Sequence, residues 1–268
     1  MDPTSDVIPV LSDITAEVDE ILRKYFNSAN FTVSIKPDET PVTTADIHAQ
    51  RVIISRLKNA FPKIPVIGEE QPEAKNKQVK KGLYFVIDPL DGTVNFAMHF
   101  PVFAVSIGLY DGNTPVAGVV SYPSGNELYT AVRGRGAYYN GTRITNTAPH
   151  RATSIADSTI SGFVKHLEPD LIDKIIDNII IKSHHYRSIG AAALEFCWLA
   201  TGRIDGMVSA HLRMWDIAAG GLILEEAGGK WSRFDGLKPT FPTLESSRIC
   251  SANTPELHRL MLREIQAP

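Results

Sequence analysis

The feature that most restricts the fold is a change of hydropathy period near the middle of the chain. From Val102 the apolar residues come in short alternating runs: Phe103 to Tyr110, Val116 to Tyr122 and Glu127 to Val132. A turn at Asp111-Gly112-Asn113 separates the first two, and Gly134-Arg135-Gly136 leads into a further run through Tyr138-Tyr139. Such runs, broken by Gly and Asn, predict a strand meander. After about residue 148 strand and helix alternate. The order is strand Ser158 to Phe163, helix Pro169 to Ile180, strand His184 to Ser188, helix Ala191 to Ala200, strand Ile204 to Ser209, helix Asp216 to Ala227 and strand Lys230 to Phe234. A last helix starts near Pro255. Ahead of the meander, Val7, Leu11, Ile14, Val18 and Leu22 fall at helical spacing over about residues 6–26. Thr43 or Thr44 caps a second helix that stops before Pro62 and carries Asp46 in its first turn, where the helix dipole favours a carboxylate. Lys36 to Pro41, between these helices, reads as an exposed loop. The expected fold is α/β of layered α+β type, with portions at residues 1–147 and 148–268 packed as layers.

Composition narrows the function classes. With 43% hydrophobic and 21% charged residues among 268, the chain has the make-up of a folded globular protein. A net charge of −3 and a pI near 6.2 argue against a dedicated binder of nucleic acid or anionic membranes. Cys197 and Cys250 have no nearby Cys partner, which excludes a disulfide framework and a thiolate zinc site and fits a reducing compartment. Met1 to Asp6 is acidic where a signal peptide would be basic and then apolar. No apolar run approaches the roughly 20 residues that cross a bilayer. A cytoplasmic location without membrane or nucleic-acid partners is expected.

The strongest chemical signal is Ile87-Asp88-Pro89-Leu90-Asp91-Gly92-Thr93, directly after the apolar run Leu83 to Ile87. Two carboxylates three residues apart at a solvent-facing strand end can converge on one hard cation. Gly92-Thr93-Val94-Asn95 would open a short helix whose free amides point at an anion. Gly68-Glu69-Glu70 forms a second acidic strand end. Trp215-Asp216-Ile217-Ala218-Ala219-Gly220 starts a helix, with Asp216 a candidate N-cap. Each segment alone also reads as turn, solvated edge or cap.

Together with Pro41-Val42-Thr43-Thr44-Ala45-Asp46 and Glu226-Ala227-Gly228-Gly229, these segments resemble the signatures of the inositol monophosphatase family over nearly the whole chain. Those enzymes are magnesium-dependent, lithium-sensitive phosphomonoesterases related to fructose-1,6-bisphosphatases and 3'-phosphoadenosine 5'-phosphate phosphatases. The resemblance implies an αβαβα sandwich, a homodimer, two to three magnesium ions and a small phosphorylated substrate, inositol 1-phosphate first among them. It implies that Glu69, Asp88 and the Leu90 carbonyl hold one ion, Asp88, Asp91 and Asp216 a second, and Glu69 a weaker third. Asp46 and Thr93 resemble the pair that orients and deprotonates the attacking water. Phosphate would sit on the amides of Gly92 and Thr93, and Gly190-Ala191-Ala192 resembles a second substrate-contacting segment, with tight helix packing as the alternative. Family members commonly carry a Glu six residues before the Trp-Asp pair, against the sugar-like ring. Ser209 stands there, so the substrate pocket is expected to differ. Histidinol-phosphate, fructose-1,6-bisphosphate and 3'-phosphonucleotide phosphatases of the superfamily, and regulatory binding proteins of the family, are the alternative readings.

Other residues have plain explanations. His184 and His185 would point to opposite faces of a strand. Cys197 would be core, and Arg133 to Gly136 a hairpin turn without the spacing of a phosphate loop.

Overall fold

The computed structural model describes residues 7–37, 39–72, 76, 82–145, 152–165 and 167–267. Met1 to Asp6, Asp38 and the expected seam at 147–148 lie outside the described residues.

Apolar spacing makes α1 (Val7–Ser28), which buries Val7, Leu11, Ile14, Val18 and Leu22 on one face. A hairpin of β1 (Val33–Ile35) and β2 (Pro41–Thr43) follows, so the expected loop is the hairpin's tip. Helix α2 (Thr44–Ala60) starts in a capping box: the Thr43 hydroxyl accepts from the Ala45 and Asp46 amides, and Asp46 accepts from the Thr43 amide.

Seven strands then form one sheet in sequence order: β3 (Val66–Gly68), β4 (Leu83–Asp91), β5 (Ala104–Asp111), β6 (Thr114–Tyr122), β7 (Glu127–Val132), β8 (Gly136–Tyr139) and β9 (Thr142–Arg143). Only β3 and β4 run parallel. Between β4 and β5 lies the short helix α3 (Thr93–Ala97).

The second sheet has the order β11-β10-β12-β14-β13. Its elements are β10 (Thr159–Phe163), α4 (Pro169–Ile175, continuing as a π-turn to Ile180), β11 (His185–Arg187), α5 (Ala192–Thr201), β12 (Gly206–Leu212), α6 (Met214–Glu226), β13 (Lys230–Arg233), β14 (Ser247–Ala252) and α7 (Pro255–Gln266). Three differences from the sequence expectation appear. Strand β14 was not expected, because two serines, Ser247 and Ser251, flank Ile249 on one of its buried faces. Helix α6 begins two residues before Asp216. His184 precedes β11, so strand alternation does not apply to it, and the two His rings meet edge to face at 4.2 Å.

The layers are α/β/α/β/α, as expected. Phe85 and Ile87 of β4 pack with α1 and α2, whereas Tyr84 and Val86 face α5 and α6. Both faces of this strand are therefore buried, which explains its unbroken apolar run. Helices α5 and α6 fill the space between the sheets, and α4 and α7 cover the far side of the second sheet. No described helix is long and apolar enough to cross a membrane.

Close approach of α6 to the first sheet depends on small residues. Gly108 and Gly118 pair across β5 and β6 and face Ala218 and Ala219. A Cβ on Gly118 would lie 2.9 Å from the Ala219 Cα, inside any normal contact. Gly118→Ala is therefore expected to cost about 1–3 kcal/mol by overpacking, read from the urea midpoint. Wild-type stability in this variant would show that α6 does not rest on β6 at this point.

Candidate metal centre

In a regular strand, residues three apart face opposite sides. Asp88 pairs with Ser106 and Asp91 with Ala104, so β4 carries one extra residue between its two aspartates. That bulge, at Pro89-Leu90, turns both carboxylates toward the α5–α6 layer. It also accommodates a proline inside a strand, since the bulged residues leave the ladder. The Leu90 amide donates to Asp88 Oδ1 at 3.0 Å and fixes that side chain.

Asp216 reaches the same point from the third position of α6. Its Oδ2 accepts from the Arg213 amide at 2.7 Å, so it caps the helix from inside its first turn and is not itself the N-cap residue. One oxygen each from Asp88, Asp91 and Asp216 falls within 4.8 Å of the others. Hard oxygen donors without His or Cys suit a magnesium-like cation better than zinc.

Asp91 is not solvent-facing. It is 7% exposed, and its two oxygens accept from the Ala192 and Ala193 amides at 3.1 and 2.7 Å. The strand end thus caps α5, a helix 101 residues further along the chain. Burial pushes the Asp91 carboxyl up to about 7, against the pull of those amides and aided by the charge of Glu195. Burial, followed by the charges of Glu69, Asp91 and Asp216, raises Asp88 well above the ordinary carboxylate range. Asp216 is raised likewise, by burial and then by Asp91 and Glu69. A cluster so poor in countercharge fits a divalent cation.

Glu69, at the end of β3, stands beside this group. Its carboxylate is paired with Lys36 Nζ at 2.7 Å, and Glu70 takes the same ammonium at 2.5 Å. Burial opposes the charge on Lys36, but the two carboxylates outweigh it and hold the ammonium above its ordinary range. Lys36 is therefore not part of an exposed loop: the hairpin tip turns it inward. A single Lys in a polar stretch carries no pattern from which sequence could have shown this.

Next to the acidic group, the Thr93 hydroxyl lies 2.9 Å from Asp46 Oδ1 and 3.1 Å from the Leu90 carbonyl. Asp46 Oδ2 accepts from the Thr43 amide and hydroxyl. Burial raises the Asp46 carboxyl above its ordinary range against these bonds. Gly92 has φ +92°, and a Cβ there would press on the Val102 carbonyl at 3.0 Å, so the turn into α3 requires glycine. The first amides of α3 lack intrahelical acceptors.

Gly190 and Ala191 precede α5, and Asn95 of α3 donates to the Ile189 carbonyl at 2.9 Å, joining the two motif segments. The amides of Gly190, Ala192 and Ala193 are already engaged, by Glu195 and Asp91. Ser209 is buried in β12 beside a register shift that begins there. Cys197 is core, and Arg133 to Gly136 is a hairpin turn whose Gly134 and Gly136 amides donate to Glu226.

Comparison with known proteins agrees with this geometry. The model of the inositol monophosphatase family matches residues 4–267. The inositol-1-monophosphatase of Bacillus subtilis is 32% identical over 261 residues, covering 92% of this chain and 96% of that protein. The Nus factor SuhB of Vibrio cholerae is 36% identical over 219 residues, covering 81% and 80%. The crystal structure of the extragenic suppressor protein SuhB from Bartonella henselae superposes with a TM-score of 0.86 at 31% identity, covering 97% of this chain and 98% of that one.

The raised Asp91 pKa predicts a pH dependence. Between about pH 4 and 7 the unfolded chain releases a proton that the folded chain keeps. This contribution to stability is complete below about pH 4 and lost as pH rises to 7. In EDTA, stability should therefore fall across this window, by up to about 1.4 kcal/mol per pH unit for the group, and fall less in Asp91→Asn. Magnesium at pH 8 should restore it. Identical urea midpoints for both proteins at every pH would contradict the assignment.

Proposed function

The chain belongs to the inositol monophosphatase family and is a phosphoric monoester hydrolase, and we propose that it cleaves a small phosphorylated polyol, inositol 1-phosphate first, with magnesium as cofactor. The observation that carries this reading is the convergence of Asp88, Asp91 and Asp216 beside the hydrogen-bonded Asp46–Thr93 pair.

In this reading Asp88, Asp91 and Asp216, with the Leu90 carbonyl and Glu69, would hold two to three magnesium ions. Such ions offset charge on phosphate oxygens and make a nearby water more acidic. The rest falls to the chain. Thr93 Oγ accepts a hydrogen bond from the attacking water while donating to Asp46 Oδ1. Asp46, made more basic by burial, takes up the proton there through Thr93. The amides of Gly92 and Thr93 face the phosphate. Because the Gly190 to Ala193 amides are engaged, that segment lines the pocket without supplying them as donors.

Ser209 is proposed to line the leaving-group side. A carboxylate there would make charge-assisted bonds to ring hydroxyls, worth about 1.5–3 kcal/mol against about 1 for a neutral partner. The intact acidic centre supports catalysis. The likeness to the Vibrio cholerae Nus factor favours a second role, with a macromolecular partner. A homodimer and a cytoplasmic location complete the proposal; Met98, 77% exposed, and Phe100, 51% exposed, beside α3 offer an apolar face for the dimer.

The deciding experiment is phosphate release over a panel of phosphomonoesters with magnesium. Turnover of inositol 1-phosphate, abolished in Asp88→Asn, is expected; no turnover of any substrate would leave the partner-binding role alone. Within the panel, Ser209→Glu should lower KM for inositol 1-phosphate roughly tenfold with little change in kcat, and raise KM for a nucleotide. Movement of both KM values together would remove Ser209 from the pocket.

A further inference from the structure

Glu69 and the Asp46–Thr93 pair come from different elements, and the structure shows what holds them in register. The backbone of residues 68–70 is tied to its surroundings at each residue. The Gly68 amide and carbonyl bond to the Asn76 side chain at 3.2 and 2.9 Å. The Glu69 amide donates to the Ile87 carbonyl of β4 at 3.3 Å. The Glu70 amide donates to Gln50 Oε1 at 2.9 Å. Only the last tie comes from α2, the helix that carries Asp46. Gln50 lies four residues after Asp46, one helical turn along the same face, and is buried at 6% exposure. Gly68 makes the contact possible. A Cβ on that residue would lie 2.6 Å from Gln50 Oε1, so any other side chain would push the amide group away.

We infer that Gln50 is a positioning residue, which pins the Glu69–Glu70 turn to α2 and so sets the Glu69 carboxylate relative to the Asp46–Thr93 pair. This rests on the proposed reading of Glu69 as a metal ligand. Lys36 neutralises the two glutamates but sits on a hairpin tip; it restrains their charge, whereas Gln50 restrains their backbone. With the tie lost, the turn keeps its strand contacts but Glu69 gains freedom, and a cation must then order it on binding.

The test is calorimetric titration of metal-free protein with magnesium chloride, a readout independent of turnover. Gln50→Met keeps the length of the side chain and removes the acceptor. It should weaken magnesium binding about tenfold, the lower end of what partners behind metal ligands contribute. Gln50→Glu keeps an acceptor oxygen and should bind magnesium at least as tightly as the wild type, an outcome that mere filling of space by residue 50 would not produce. Gly68→Ala displaces the same oxygen and should match the loss in Gln50→Met, so it carries the test if that variant fails to fold. Wild-type affinity in Gln50→Met or Gly68→Ala would overturn the inference while leaving the metal reading standing. A wild-type protein that binds no magnesium would remove the metal reading itself, and the inference with it.

Discussion

One extra residue in β4 governs the site. Without the bulge at Pro89-Leu90, Asp91 would point to the α1–α2 side of the sheet and away from Asp88. With it, both carboxylates enter the layer between the sheets. Asp91 then closes the N-terminus of α5 while Asp216 arrives from α6. The bulge therefore couples the first sheet to the two helices between the sheets, and the acidic centre forms there.

The rest of the architecture makes that meeting close. Gly108 and Gly118 leave room for Ala218 and Ala219, which brings α6 down onto β5 and β6. Asn95 ties α3 to the start of α5. The resulting cluster of buried like charges costs free energy in isolation, and a site built at such a cost is characteristic of one that binds a cation. The same burial raises the Asp46 carboxyl above its ordinary range, beside the Thr93 hydroxyl that donates to it.

Much of this was legible in sequence, for identifiable reasons. The α1 face and the unbroken run of β4 are direct consequences of burial, and Thr43 and Asp46 show their capping box at the right spacing. The Asp88–Asp91 spacing signalled a site, but the bulge that makes it work is a property of the pairing with β5. Long-range contacts were not legible. Asp91 caps amides 101 residues away, and Lys36 reaches glutamates 33 and 34 residues on. Strand β14 carries a weak sequence signal because Ser247 and Ser251 dilute its apolar pattern, although Ser251 is buried and Ser247 half-buried. His184 and His185 meet because the strand starts one residue later than expected.

The central claim is that Asp88, Asp91 and Asp216 form a metal centre. Its most direct test is the anomalous difference density of crystals grown with saturating manganese, a magnesium surrogate. A peak coordinated by these three carboxylates is expected. Density elsewhere with none among them would contradict it.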